Sequence, residues 1–450
     1  MKKVLSLILA LAMLSTVLFG CGDSSSSAAD DGSTTASTSD TASTGGDDAS
    51  ATEADNGDEE PVTIEVAVSG SAQELEIHQQ KFDLYMEEHP NVTIKPVDIG
   101  TERFQKLMTL IGSGTAPDII YINEWCYSLA YRDVLLPLDS YIEADEDFDL
   151  SDYPESLLTP LRYEDQLYAL PQEVSPYVIY YNKDMFEAAG LDLPTDDWTI
   201  DEFYESAKAL TDPDNNVYGF RYSSGADTFL GWLSRSGVDF DTSGTEVQGL
   251  DTQEALNTLE FLYNMVVVDQ VSPNPAALTA MGTNADAMFR NQTVAMESSG
   301  LWLLPQYKAD PLSFNWDVVR MPMDQNQRTK AGILNWGISA DTDIPDATWD
   351  LLKFLVGPES MTIVAESNMA LPASTDENAN QIVLDTHFPE NVKAFVDSVE
   401  DVDMMDQLSI YRTEVNTKLQ EITDKLLIGE STPEETQQTL IEEINAILAG

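Results

Sequence analysis

A run of alternating strand and helix signals over residues 61–122 limits what this chain can fold into. Residues 61–69 (PVTIEVAVS) alternate in polarity and are rich in Val, the pattern of a β-strand. Ser71 and Glu74 form a capping box, and Leu75, Phe82 and Met86 mark the core face of the helix it opens. Residues 91–99 (NVTIKPVDI) read as a second strand. A second helix, with Phe104, Leu107, Met108 and Ile111 on one face, stops at Gly112. Residues 117–122 (PDIIYI) give a third strand. Strand–helix–strand–helix–strand requires a parallel sheet with helices on both faces. Ligands in such sheets sit beyond the carboxyl ends of the strands. That places candidate contacts at residues 69–73, including Gln73, and at Asn123, Glu124 and Trp125.

Residues 178–212 repeat the logic. VIYY (178–181) is a short buried strand, and residues 184–189 form a short helix ended by Gly190, where positive φ carries little penalty. After a turn at Pro194, Thr199 caps a second helix with Glu202 three residues on, and Phe203, Ala207 and Leu210 line its core face. A chain of 450 residues exceeds one hydrophobic core, so two lobes are expected.

The formal charge is −57. Two basic and eleven acidic residues fall in residues 1–60, a net of −9, which leaves −48 on the remainder. So acidic a body repels nucleic acid and anionic membrane surfaces, and a nucleic-acid partner is not expected. Lys2 and Lys3 followed by the apolar run 4–19 read as a signal peptide over residues 1–20, too short for a membrane span. Leu18-Phe19-Gly20-Cys21 resembles a bacterial lipobox, with Phe19 in place of the usual small residue, which makes Cys21 the expected lipidation site. Residues 22–60 lack aromatics and are mostly Ser, Thr, Ala, Gly and acids, a solvated tether. The one other cysteine, Cys126, leaves no disulfide framework in the body and reads as a small packed residue.

The stretch 178–212 (VIYYNKDMFEAAGLDLPTDDWTIDEF and onward) resembles the YNKDxFxxAGL…PxTWxEF segment of the family 1 extracellular solute-binding proteins. These are the sugar-capturing receptors of ABC importers, the group that includes maltose-binding protein. Further motifs of that family are matched in order: GSGTAPDIIYIN, LLPLD at 135–139, QLYALP at 166–171 with Ala169 for the usual Gly, VAMESSGLW at 294–302, GILNWGIS at 332–339, MALP at 369–372, and a C-terminal helix over 432–448. The resemblance covers residues 61–450. It implies an α/β fold of two lobes, periplasmic-binding-protein-like, each lobe a mostly parallel sheet flanked by helices with the ligand cleft between them. The lobes are expected at 61–172 plus 306–358, and at 173–305 plus 359–450, after a signal peptide (1–20) and a tether (21–60). It further implies a carbohydrate ligand, an oligosaccharide, passed to ABC permease subunits driven by a separate ATPase. The protein is expected as a monomer on the outer face of the membrane, held by a lipid anchor only.

A sugar offers hydroxyls to polar side chains and an apolar C–H face to aromatic rings. The expected stacking residues are Trp125, Trp232, Trp302 and Trp336. The expected polar contacts are Gln73, Asn123, Glu124, Glu173, Asp227 and Glu297, with Tyr177 beside the first crossing. Core packing competes for each tryptophan, capping for Asp227 and a solvated position for Glu297. Trp198, Trp316 and Trp349 are assigned to packing, and His78 and His89 to solvated positions. Arg221 and Arg235 are the groups that could favour an anionic ligand. No catalytic motif rises above the background of 79 acids, and no cofactor or metal pattern is present. Asp145, Asp147 and Asp149 imitate the start of a calcium loop but lack its Gly and closing Glu, and read as a solvated acidic loop. A secreted carbohydrate-active enzyme and a sugar-sensing surface receptor uncoupled from transport are the alternative readings.

Overall fold

The computed structural model describes residues 60–282, 285–375, 377–404 and 408–450. The signal peptide, Cys21 and the tether lie outside the described residues. Among the described residues the strands are β1 (Val62–Val68), β2 (Val92–Asp98), β3 (Ile119–Ile122), the hairpin β4 (Arg162–Tyr163) and β5 (Gln166–Leu167), β6 (Leu170–Pro176), β7 (Val178–Asn182), β8 (Tyr218–Arg221), β9 (Val294–Ser299), β10 (Trp316–Val319), β11 (Ala331–Ile338) and β12 (Leu371–Pro372). Apart from the β4-β5 hairpin, they form two sheets, in the orders β12-β6-β11-β3-β1-β2 and β10-β7-β9-β8. Each anchors one lobe of a two-lobed α/β fold.

The local signals formed as expected. The helix Ala72–Glu88 starts at the Ser71/Glu74 capping box, and Ile200–Leu210 at the Thr199/Glu202 box. Gly190 closes the helix Lys183–Ala189 with φ +70°. The edge strand β2 carries Pro96 and the opposite edge strand β12 carries Pro372, where a missing N–H interrupts no ladder.

Strand direction is more mixed than expected. β1, β2 and β3 pair in parallel, but β11 enters antiparallel to β3 and to β6, and β12 antiparallel to β6. In the smaller sheet β8 and β9 are parallel, while β7 runs against both β9 and β10. The reason is the crossing. β6 leaves one sheet, passes Tyr177 and becomes β7 of the other, so a strand that returns must run the opposite way.

The pairings also move the expected lobe boundaries. β10, expected with the first lobe, pairs with β7, so the return crossing falls between Val319 and Ala331. β12, expected with the second lobe, pairs with β6. The first lobe's core holds Ile64, Val66, Phe82, Ile119, Trp336 and Leu352, and the second lobe's holds Ile179, Phe203, Phe220, Trp232, Leu419 and Ile444. A third cluster around Val174, Tyr180, Phe289, Tyr307 and Phe395 packs against the crossing strands.

Three assignments to packing hold. Trp198 and Trp349 are buried, and Trp316 stacks on Tyr180 with ring centroids 5.7 Å apart. Cys126 is buried, and burial pushes its thiol far above the ordinary range, so it is no reactive thiol. Asp145 bonds Lys353 and accepts from Trp349 Nε1 at 3.1 Å, a structural tie between the acidic loop and the helix Pro345–Leu355. His78 corrects an expectation. It is buried, edge-on to Trp336 at 5.5 Å, and desolvation, aided by Lys81, holds its pKa well below 6.5. The acidic character of the surrounding helix hid this, because one turn of Ala72–Glu88 faces inward.

The tightest approach in the second lobe is Gly219 of β8 against the helix Ile200–Leu210. A Cβ there would sit 1.8 Å from the carbonyl oxygen of Ala207, and backbone cannot yield as a side chain can. Gly219→Ala is expected to lower the unfolding free energy by about 1–3 kcal/mol or more. Urea titration of the two proteins measures it, and an unchanged midpoint would contradict the packing described.

Candidate functional site

The carboxyl ends of β1, β3, β8 and β9 converge on one cleft. After β1, Ser69 Oγ donates to Gly100 O at 2.7 Å and accepts from Arg103 Nε at 2.7 Å. After β3, Asn123 accepts from Arg103 Nη1 at 3.2 Å and donates to Ile333 O at 2.6 Å, and Asn335 Nδ2 donates to Asn123 O at 3.0 Å. These bonds fix the turn that presents Glu124 and Trp125. After β8 the chain passes Arg221, Ser223 and Ser224 into the helix Ala226–Arg235. After β9 it passes Ser298 and Ser299 to Trp302.

The main chamber has a volume of about 640 Å³, within the ~300–1,000 Å³ common for small-molecule sites. Glu124 and Trp125 of the first lobe face Arg221, Asp227, Arg412 and Gln420 of the second across it. Trp302 lies at the chamber's edge and also walls a second chamber of about 260 Å³, which runs along His78, Arg103, Asn123, Glu173 and Gly332. Gly300 and Gly332 make room for its ring: a Cβ at either would fall within 2.1 and 2.9 Å of Trp302 Cζ3. Tyr177 meets the same ring edge-on at 5.5 Å.

Of the residues expected in the site, Asn123, Glu124, Trp125, Glu173, Tyr177, Asp227 and Trp302 line these chambers and are partly exposed. Four are placed elsewhere. Gln73 is exposed on the outer face of its helix and lines neither chamber; Glu74, one residue on, reaches the smaller chamber. Trp336 is fully buried, its Nε1 donating to Gln172 Oε1 at 3.0 Å. Trp232 is 3% exposed and packs among Phe203, Phe220 and Phe261, so that only a small part of it reaches the chamber wall. Glu297 is fully buried on β9. Period-two alternation predicted one buried and one open face for that strand, but residues of both faces are buried here.

Sequence reasoning missed the helix Arg412–Leu427. Arg412, Asn416 and Gln420 recur every four residues and line the chamber, while Val415, Leu419 and Ile422 face the core. That polar stripe was the available signal. Arg412 lies 2.9 Å from Asp227 and 3.7 Å from Glu124, so one guanidinium joins the two lobes. Burial raises the Glu124 pKa in spite of Arg412. Lys81 was missed as well. It is fully buried and donates to Gln172 at 2.8 Å and to Glu173 at 3.2 Å, which fixes the Glu173 carboxylate at the chamber wall.

With the fold and cleft described, the family is plain: the chain belongs to the bacterial extracellular solute-binding proteins, whose family profile matches residues 70–362. A binding protein of Brucella abortus (strain 2308) is 24% identical over 302 residues, 64% of this chain and 71% of the relative. The arabinooligosaccharide-binding protein of Halalkalibacterium halodurans is 24% identical over 212 residues, 45% of each chain. Among solved structures, an ABC substrate-binding protein from Listeria monocytogenes in complex with cycloalternan superposes with TM-score 0.78 and 27% identity, covering 86% of this chain and 99% of its own. Family and structural neighbours are binding proteins rather than enzymes, and the family is an extracellular one.

Glu297 offers a measurable consequence. Its carboxyl has no hydrogen-bond partner and burial pushes its pKa up to about 8 from 4.5, with Arg221 opposing the shift. Between those values the unfolded chain releases a proton that the folded chain keeps. Stability therefore falls as pH rises from 4.5 to 8, by on the order of 5 kcal/mol at full extent. Glu297→Gln is expected to flatten that slope and to raise the melting temperature at pH 8.5 but not at pH 4.5. Equal melting shifts at both pH values would refute the assignment.

Proposed function

We propose that the protein captures a carbohydrate, an oligosaccharide, between its lobes and delivers it to the permease of an ABC importer. Anchorage through a lipid on Cys21 would keep it at the outer membrane face, and it would act as a monomer without a cofactor. The observation that carries the ligand class is the pairing of Trp125 from the first lobe with Trp302 and Tyr177 at the crossing. These are partly exposed rings on a cleft whose other lining residues are mostly Ser, Thr, Asn, Gln and charged groups, with Phe220, Trp232 and Met321 among them. Flat apolar faces beside dense hydrogen-bonding groups match the two surfaces of a sugar. The sugar-binding proteins among its relatives support the same reading. Because the ligand would contact both lobes, binding would favour a closed arrangement, with Arg412 already spanning the gap.

Titration calorimetry against a panel of oligosaccharides tests the proposal. Saturable heat and compaction in small-angle scattering are expected with at least one glycan. Trp125→Ala or Trp302→Ala should then weaken binding about tenfold or more, since each ring contributes roughly 1 kcal/mol beyond its buried area. Absence of binding across neutral and acidic glycans would sink it. Labelling of intact cells with palmitate and its loss in Cys21→Ser checks the anchor.

A further inference from the structure

The charge of the cleft runs against the charge of the chain. Acidic side chains outnumber Lys and Arg by 79 to 22 overall. Around the main chamber the order reverses: Arg221, Arg235, Lys330 and Arg412 stand against Glu124 and Asp227. Arg412 is committed to those two acids, Lys330 Nζ donates to Asp403 O at 2.8 Å, and Arg235 stacks on Trp232 at 4.2 Å while donating to Arg328 O at 3.2 Å.

Arg221 is different. It ends β8 at the chamber wall, and among the described residues it has no hydrogen bond and no carboxylate within ion-pairing distance. Its Nε is buried and unpartnered. Its nearest acid, Glu297, sits beside it in register on β9, yet neither carboxylate oxygen of Glu297 bonds it. Arg235, fourteen residues on, is nine-tenths or more buried and also leaves its Nε unpartnered, but its Nη1 is engaged by Arg328 O.

A second feature lies next to Arg221. The ten-residue helix Ala226–Arg235 opens on the same wall, with Gly225, Ala226, Asp227 and Thr228 lining the chamber. Its N-cap is Gly225, so no side chain satisfies the first-turn N–H groups. Such an end attracts negative oxygen atoms. Ser223 and Ser224 add hydroxyls between the arginine and the helix end, Ser224 being bonded to Asp424.

We propose that the solute of this cleft is an acidic glycan, whose anionic oxygen group seats between Arg221, Ser223 and the N-terminal turn of Ala226–Arg235. The inference rests on the carbohydrate reading above and narrows it. A carboxylate, as in a uronic acid, and a phosphate or sulfate ester share the chemistry the site recognises. The rest of the glycan would extend over Trp302 and Trp125. Glu297, kept uncharged by burial, leaves the Arg221 charge available to the ligand, and a bound anion would restore the neutrality of the wall.

Calorimetry with matched ligands tests this in the unaltered protein. Trisaccharides of galacturonic, glucuronic, mannuronic and guluronic acid are compared with their neutral methyl esters, with neutral oligosaccharides and with glucose 1- and 6-phosphate. At least one acid is expected to bind roughly 10–100-fold tighter than its own ester, the gain of a charge-assisted pair, or a phosphate tighter than glucose. Preference for the uronates identifies the carboxylate source, and preference for the phosphates the ester source. Arg221→Gln should erase that difference, weakening the acid more than its own ester, and Arg221→Lys should restore part of it. Binding of neutral glycans and esters with no preference for the acid overturns the inference but leaves the proposed function standing. Failure of every glycan to bind overturns both. Equal weakening of acid and ester by Arg221→Gln would make Arg221 a structural partner of β9 and overturn the proposal as well.

Discussion

The antiparallel ladder between β6 and β11 holds the rest of the molecule in place. Both strands lie in the middle of the six-stranded sheet, and both continue to the crossing, where Tyr177 N–H donates to Lys330 O at 2.9 Å and Thr329 Oγ1 donates to Tyr177 O at 2.8 Å. Gly332 of β11 gives Trp302 its seat, and Ile333 O holds Asn123. Gln172 of β6 accepts from both Lys81 and Trp336 and donates to Ser360 at 2.9 Å, so the strand is bound to the helices Ala72–Glu88 and Pro358–Ser367 through a buried polar network. Buried networks of this kind are favourable only when their members are satisfied. Here the satisfied members position Glu173 and Trp302 at the cleft.

Charge is distributed with the same economy. The surplus of acid lies on the outside, where it keeps the molecule solvated. The interior of the cleft gathers basic groups, and the acids among them are paired. Arg412 serves Asp227 of its own lobe and Glu124 of the other, which places an electrostatic contact across the space a solute would fill. The buried Glu297 obeys a different rule: enclosed away from water, its carboxyl is held neutral by desolvation, which outweighs the attraction of Arg221.

Much of the fold was legible in advance because its signals are local. Capping boxes at Ser71 and Thr199, the glycine stop at Gly190 and the alternation of β1 need only a few neighbouring residues to take effect. The site was legible where topology alone sets position, at the carboxyl ends of strands: Asn123, Glu124, Trp125 and Trp302. It was illegible where a side chain's direction depends on what packs against it. Trp232 and Trp302 occur in similar Gly- and Leu-rich surroundings in the sequence, LGWL and GLWL, yet one is enclosed by Phe203, Phe220 and Phe261 and the other rests on two glycines at an open edge. Arg412, Asn416 and Gln420 lay far along the chain from the cleft residues expected from the sequence, on a helix whose polar stripe had no visible destination.

By itself the sequence determined the order of strands and helices, the need for two cores and the ordered motifs that mark the family. These rest on period, capping and chain length, which act over short distances or in bulk. Tertiary structure decided which tryptophans stay open, which acids are neutral, which basic groups face the cleft and where the lobes divide. Each of those depends on contacts between residues up to some 290 positions apart, such as Glu124 and Arg412, and burial by distant segments is a property that no local pattern contains.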